Sequence, residues 1–486
     1  MISLKRFIFL AAASVMVAGC NNSGGGGDST DDNDGSDGGS GSLSALSAPV
    51  FLIGNDGSSG NATEGSQLWK TDGTEANTRL VKDIFPGDDA RMRDFTQVGD
   101  QLFFVADDGA GHGDQLWVSD GTEAGTRRLT DSTDLDSGLM VALTEFNGKL
   151  HFRSRGTGQS AWIWVSDGTP EGTGLMDDTI VLDNGLYPYL HPFDGHLYFA
   201  ADDGVNNVEL WRTDGTAANT ELMANIQAGT GLGSLYTCMD GFAERGGWLY
   251  FSANDGVDGN SCDLWRTDGT LGNVEKVRDI SESTNNGPRR LMVTDNKLYF
   301  LEPGSPGVES AIWISDGTEA GTRKIFESND DYRVLTGSVT EKSGHLMGAG
   351  GYAYFYVNDL NESAGLQLWY TDGTDANMLV DLETSSVGDH RIPKAVTNDR
   401  LYYIAFRPDG LTRGLWTASG GQTELLSTGD GLGSGTPLLP ADDGETLMFR
   451  SDLEVWRTDG SDSGTSSVKR ICPGPCDGFL GPKPYD

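Results

Sequence analysis

The chain has 486 residues, with 72 Asp and Glu against 34 Lys and Arg, a formal net charge of −38. So acidic a chain repels nucleic acid and anionic lipid headgroups, which excludes phosphate-reading roles. Its 69 glycines and 37% hydrophobic content describe a core-forming chain broken by many turns.

The N-terminus stands apart from the rest. Lys5 and Arg6 precede an apolar run, Phe7 to Val17, which ends in Val17-Ala18-Gly19-Cys20. A charged start, an apolar stretch and small residues before a cut read as a secretory leader. The placement of Cys20 resembles a bacterial lipobox, and that resemblance implies a lipidated Cys20 at the head of the mature chain. With Asn21 behind it rather than Asp, it also implies the outer membrane. No later stretch is apolar over the roughly 18 residues that would suggest a membrane span, so the membrane is reached through the lipid anchor. Residues 21–48 are Gly, Ser, Asp and Asn with almost no apolar side chains. They cannot offset their ordering entropy by burial and read as a flexible tether. The Asp28–Asp37 cluster lacks the alternating ligand spacing of a calcium loop. The expected organisation is a leader at 1–19, lipidated Cys20 and linker to 48, and one domain over 49–486.

Within that domain one stretch recurs: Glu209-Leu210-Trp211-Arg212-Thr213-Asp214-Gly215-Thr216. Its counterparts carry Trp69, Trp117, Trp164, Trp265, Trp313, Trp369, Trp416 and Trp456, mostly 47 or 48 residues apart. A period of this size marks a repeat architecture. In residues 184–226 each repeat reads as four short strands, A to D, separated by Gly, Asp and Asn turns. Strand B (Leu197-Tyr198-Phe199) and strand C (Leu210-Trp211) are apolar at adjacent positions, so both faces of the sheet need cover. A ring of four-stranded sheets packed radially supplies it, which predicts an all-β propeller with each tryptophan wedged between blades. Strand D carries Lys and Arg, expected to deter edge pairing. The C–D turn reads Asp-Gly-Thr-x-x-(Gly or Asn)-Thr. Its Asp is expected to cap the turn, and its sixth residue to adopt left-handed angles. Repeat eight replaces the motif with Thr417-Ala418-Ser419-Gly420-Gly421, which suggests a distorted blade.

Nine motifs predict nine blades, with eight plus an insertion as the alternative. The first repeat begins at strand B, Val50-Phe51-Leu52-Ile53, and lacks a strand A. Ile471-Cys472-Pro473-Gly474 echoes Ile84-Phe85-Pro86-Gly87, so the C-terminal tail from Gly478 to Tyr485 is expected to complete blade one and close the ring. Cys238 and Cys262 lie in one repeat, and Cys472 and Cys476 bracket Pro-Gly-Pro. In an oxidising compartment two local disulfides are the simplest pairing. No histidine accompanies either pair at zinc-site spacing.

Residues Gln115 to Thr126 and Glu209 to Thr220 resemble the ELWxxDGT (hyalin-like) repeat of bacterial surface lipoproteins, a likeness that spans roughly 50–471. The resemblance implies a propeller-like fold and an extracytoplasmic location, and carries no catalytic residue. Ala106-Asp107-Asp108-Gly109 leading to Trp117 is more weakly similar to the tryptophan-docking repeats of quinoprotein-type propellers.

Function is expected on the face of the B–C loops, which vary while the C–D turns are uniform. Asp107, Asp108 and Asp114, Asp202 and Asp203, and Asp255, Asp258 and Asp263 sit there. They would bind Ca²⁺ or a cationic partner, or simply face solvent. No cofactor and no metal site are otherwise expected. The histidines His191 and His196 read as ordinary turn residues. No Gly-x-Ser-x-Gly elbow and no phosphate loop is present. The preferred expectation is a non-catalytic, lipid-anchored scaffold for binding, adhesion or envelope assembly, with a protein or glycan partner. The alternative is a propeller hydrolase or lyase acting on an extracellular glycan or peptide. That alternative requires a concave channel mouth with convergent, pKa-perturbed carboxylates.

Overall fold

The computed structural model of the chain describes residues 15–18 and most of 46–470. These residues form eight hydrogen-bonded sheets, most of them four-stranded. The largest joins repeats three and four, because Val181–Leu182 pairs with Ala161 on one side and Ala201 and Asp202 on the other. The architecture is an all-β propeller. No helix among the described residues is long and apolar enough to cross a membrane.

Each repeat is a meander built by its turns. Strands A and B meet at two-residue turns with both residues at positive φ: Asn147-Gly148 (53° and 73°), Asp194-Gly195 (45° and 74°) and Asp295-Asn296 (47° and 56°). Such turns match the right-handed twist of the flanking strands. Strand B then pairs with strand C so that an apolar residue lies opposite each tryptophan: Leu52↔Trp69, Phe104↔Trp117, Phe199↔Trp211 and Phe300↔Trp313. The last pair stacks with ring centroids 5.8 Å apart.

The indoles wedge against the preceding sheet. Trp117 packs with Phe51, Ile53 and Leu68 of repeat one, and Trp211 with Ala161 and Ile163 of repeat three. Trp313 packs with Tyr250 and Leu264 of repeat five. The other face of strand C meets the following repeat, as where Leu116 and Val118 lie with Leu150 and Phe152. Burying one indole contributes roughly 4–6 kcal/mol before entropy is counted. The seam between repeats nine and one is built the same way: Trp69, Val50 and Leu52 share a core with Leu447, Phe449 and Val455.

The cations of strand D have a role beyond the expected one. Lys82 Nζ donates to the Thr126 carbonyl of the next repeat at 3.0 Å, and Arg127 Nη2 to the Gly168 carbonyl at 2.7 Å. Lys469 Nζ donates to the Thr78 carbonyl at 2.9 Å. Lys469 and Thr78 occupy the repeat positions of Lys82 and Thr126, so repeat nine docks on repeat one as repeat one docks on repeat two.

Two local expectations are corrected, for the C–D turn and for repeat eight. In the C–D turn, Asp72 Oδ1 does accept from the Thr74 backbone N–H (3.0 Å) and hydroxyl (2.6 Å), as expected of a cap. These bonds hold the Asp72 carboxyl below its usual range against a raising effect of burial. The left-handed residue is the glycine directly after Asp, Gly73 at φ 83° and Gly121 at 78°, and not the sixth residue. The sixth is Gly125, Gly172, Gly321 or Gly464 because a Cβ there would overlap the capping carboxylate. Where it is Asn77 or Asn219, the amide donates to that carboxylate at 2.6 Å instead. Repeat eight is not distorted: Arg413–Ser419 and Gln422–Ser427 close a regular four-stranded sheet around Gly420 at φ 59°. The inner position of blade one is held by Val15–Ala18, paired in parallel with Phe51–Gly54. The tail from Gly478 to Tyr485, expected there, lies outside the described residues, as do Cys20, Cys472 and Cys476.

Candidate active site at the channel mouth

The A strands form the innermost layer of the ring, and short polar links tie each to the next. Thr96 Oγ1 donates to the Leu143 carbonyl at 3.0 Å, and Thr144 Oγ1 to that of Leu190 at 3.3 Å. Counting back from the A–B turns aligns Asp94, Ala142, Gly241 and Arg290 at one repeat position. All four have positive φ: 52°, 55°, 112° and 55°. The A–B ladder slips beside this position in repeats two, three and six. A bulge recurring at one level of the inner wall re-aims side chains into the channel. Three non-glycine residues held in a disfavoured backbone region there mark a candidate functional site.

A cavity of about 370 Å³ opens at this level. Its walls come from four successive repeats: Tyr189, Leu190 and His191; Asp240, Gly241 and Phe242; Arg290, Leu291 and Met292; and Leu346. The volume is within the range of small-ligand pockets, and its lining mixes apolar side chains with polar groups. Asp240 is buried, and burial pushes its carboxyl above the usual range. The guanidinium groups of Arg290 and Arg289 and the Arg290 backbone N–H, 3.1 Å from Oδ2, work against that rise without cancelling it. Arg290 Nε lies 3.8 Å from the same oxygen. Across the cavity His191 Nε2 is 3.0 Å from Glu244 Oε1, and its ring rests on Phe242 with centroids 5.2 Å apart. A carboxylate on one imidazole nitrogen fixes the ring's orientation. Two residues before Asp240, Cys238 is disulfide-bonded to Cys262 at the foot of strand C, as the sequence suggested. The bridge closes a loop of 24 residues, worth about 3.5 kcal/mol by chain entropy, and pins the segment that carries Asp240.

The sequence placed function on loops of the same end of the blades, but none of its aspartates lines the cavity. Asp107 and Asp114 are ion-paired to Arg91 at 2.5 and 3.0 Å, and Asp108 to Arg128 at 2.8 Å. Asp202 and Asp203 accept backbone N–H groups of their own turn. Asp255 pairs with Lys276 at 2.8 Å. Asp263 faces the same lysine, with its carboxyl raised to about 6 by burial. Asp258 lies outside the described residues. Among the described residues no three or more His, Cys, Asp or Glu groups are arranged to hold a metal ion. His196 opens strand B directly after the Asp194-Gly195 turn, 3.1 Å from the Asp194 carbonyl. His191 is not a turn residue: it belongs to an inner strand and faces the next blade.

No family model matches the chain, and no curated protein does. Among solved structures it is similar to a prolyl endopeptidase at 14% identity and TM-score 0.41, over 76% of this chain and 54% of that one. Oligopeptidase B from Leishmania major matches at 11% and 0.43, over 75% and 54%. The β-propeller domain of the Trilobed protease from Pyrococcus furiosus matches at 11% and 0.37, over 78% and 97%. The chain spans about half the length of the first two. The likeness is one of fold. All three are peptidases or a peptidase's propeller domain, and the expectation of a non-catalytic scaffold is withdrawn.

Proposed function

We propose that the chain is a propeller hydrolase that acts on an extracellular glycan or peptide at the channel mouth. The observation that carries this reading is the meeting, in one cavity, of a carboxyl that burial raises above its usual range (Asp240), a carboxylate-oriented imidazole (His191 with Glu244) and a guanidinium (Arg290). Two titratable groups with different environments form the acid and base pair that hydrolysis needs. His191 takes a proton from water as the water attacks, and Glu244 stabilises the imidazolium that results. Asp240, its carboxyl raised above the usual range by burial, is the group placed to give a proton to the departing atom. Arg290 then balances the carboxylate left behind. Tyr189 and Phe242 offer flat apolar surface to a sugar ring or side chain. The charge of −38 disfavours polyanionic substrates and favours neutral or cationic ones. Residues 21–48 are read as the tether from a lipid on Cys20 at the outer membrane.

Screening the purified protein against neutral and basic glycans and peptides, beside Asp240→Asn and His191→Ala, tests the reading. Each substitution should lower turnover by about a hundredfold or more while the melting temperature stays within a few degrees. A wild-type protein inert across both panels, or variants as active as wild type, would refute it.

A further inference from the structure

We infer that the inner edge of Val50–Gly54 is a docking slot for the chain's own C-terminal segment, and that Val15–Ala18 holds it only until the leader is cut away. The inference rests on the leader reading and is independent of the proposed hydrolysis. The inner strands of the other repeats pair antiparallel with their B strands. Among the described strands Val15–Ala18 alone pairs in parallel, Val15↔Phe51 through Ala18↔Gly54. It also ends two residues before Cys20, so cleavage there removes it. The slot cannot stay open without cost. Val50, Phe51, Leu52 and Ile53 are all buried, and losing their partner strands one full row of backbone N–H and C=O groups.

The tail has the length, direction and chemistry to take the place. Strand D of repeat one ends at Asp83 and the next strand A starts at Arg93, so nine residues, 84–92, make the crossing. From Arg470, the end of the last strand D, the same nine residues lead to position 480. Ile471-Cys472-Pro473-Gly474 repeats the opening of that crossing, Ile84-Phe85-Pro86-Gly87. A segment arriving this way enters from the end where the other inner strands begin and runs antiparallel, like them. Pro482 and Pro484 are two residues apart. In a strand, alternate residues present their N–H groups to the same side, so both missing donors fall on one side. An innermost strand has one unpaired side, facing the channel. With the prolines on that side, Gly481, Lys483 and Tyr485 would present their N–H groups to Val50–Gly54.

The test is hydrogen exchange, read by mass, on the protein purified from its native envelope. The chain should begin at Cys20, the amides of 481, 483 and 485 should be protected, and those of 50–54 should exchange as slowly as Leu102–Ala106. Deleting 478–486 should speed exchange at 50–54 by about a hundredfold or more, and a synthetic 478–486 peptide should restore it. A chain that keeps residues 15–18 overturns the inference. So does a tail that exchanges freely, or a deletion that leaves 50–54 protected. If the deleted chain fails to fold, the tail amides of the intact protein decide the matter.

Discussion

His151 gives the sharpest test of how the blades are packed. It occupies the strand-B position where repeats four to eight carry Tyr198, Tyr250, Tyr299, Tyr354 and Tyr402. There it points under the C–D turn of the next repeat, with Phe146 edge-on at 5.6 Å. A Cβ placed on Gly215 of that turn would lie 3.4 Å from its Nε2. The ring is 2% exposed, and burial pushes its pKa from 6.5 down to about 4. The folded state therefore prefers the neutral ring, and the unfolded state binds the proton first. Stability attached to this group is intact above pH 6.5 and is lost as pH falls towards 4. A shift of that size corresponds to about 3 kcal/mol. Replacing His151→Tyr supplies the side chain that the other repeats already accommodate, and it does not titrate in this range. Urea unfolding of both proteins from pH 7.5 to 4 gives a difference in which carboxylate effects, including that of the raised Asp263, cancel. The variant should gain about 3 kcal/mol on wild type across that span. Parallel curves would mean that the imidazole is solvated and that the blades do not seal this position.

Two further outcomes follow from the repeat contacts. Gly125→Ala should destabilise by about 1 kcal/mol or more, because its Cβ displaces the Asp120 cap. Gly125→Asn brings the same Cβ but also an amide that can donate to the capping carboxylate, as Asn77 and Asn219 do, so it should lose less; equal losses in denaturant midpoint would mean that the amide does not compensate. Lys469→Met and Lys82→Met should each cost about 1 kcal/mol or less, because they remove equivalent bonds across two seams. A loss at Lys82 alone, measured by thermal unfolding, would mean that the seam between repeats nine and one does not hold.

What could be read from the sequence was whatever the repeats share. Trp69 to Trp456 keep one neighbourhood, so their spacing and the doubly apolar strands were enough to specify radial sheets. The turn aspartates were legible for the same reason. Gly125 was misread because two physical causes favour glycine, backbone angle and lack of space, and sequence alone does not separate them. The cavity was invisible for the opposite reason. His191, Asp240 and Arg290 come from three repeats and sit at the level where inner strands differ most, so no local motif joins them. Aligning the inner strands on their A–B turns would have stacked Asp94, Ala142, Tyr189, Gly241 and Arg290 in one column. That column mixes charged, small and aromatic residues, whereas the column directly after it is apolar throughout: Phe95, Leu143, Leu190, Phe242 and Leu291. The acidic B–C loops attracted attention by composition, yet arginines and lysines of adjacent strands and the loops' own amides occupy them.

The same column separates a structural Asp240 from a catalytic one. Arg290 holds φ 55° where repeat five has Gly241, so Arg290→Gly relieves backbone strain of about 1 kcal/mol. It also removes the guanidinium that opposes the rise of the Asp240 carboxyl, while leaving a backbone N–H at 290 to bond Oδ2. Asp240 should then hold its proton to higher pH. If Asp240 is the general acid, the alkaline limb of the pH–rate profile moves upward in the variant, even though turnover falls with the loss of the balancing charge. If Asp240 only supports the inner wall, the profile stays where it is and thermal unfolding alone changes. A limb that does not move while the protein remains folded would remove Asp240 from the proposed chemistry.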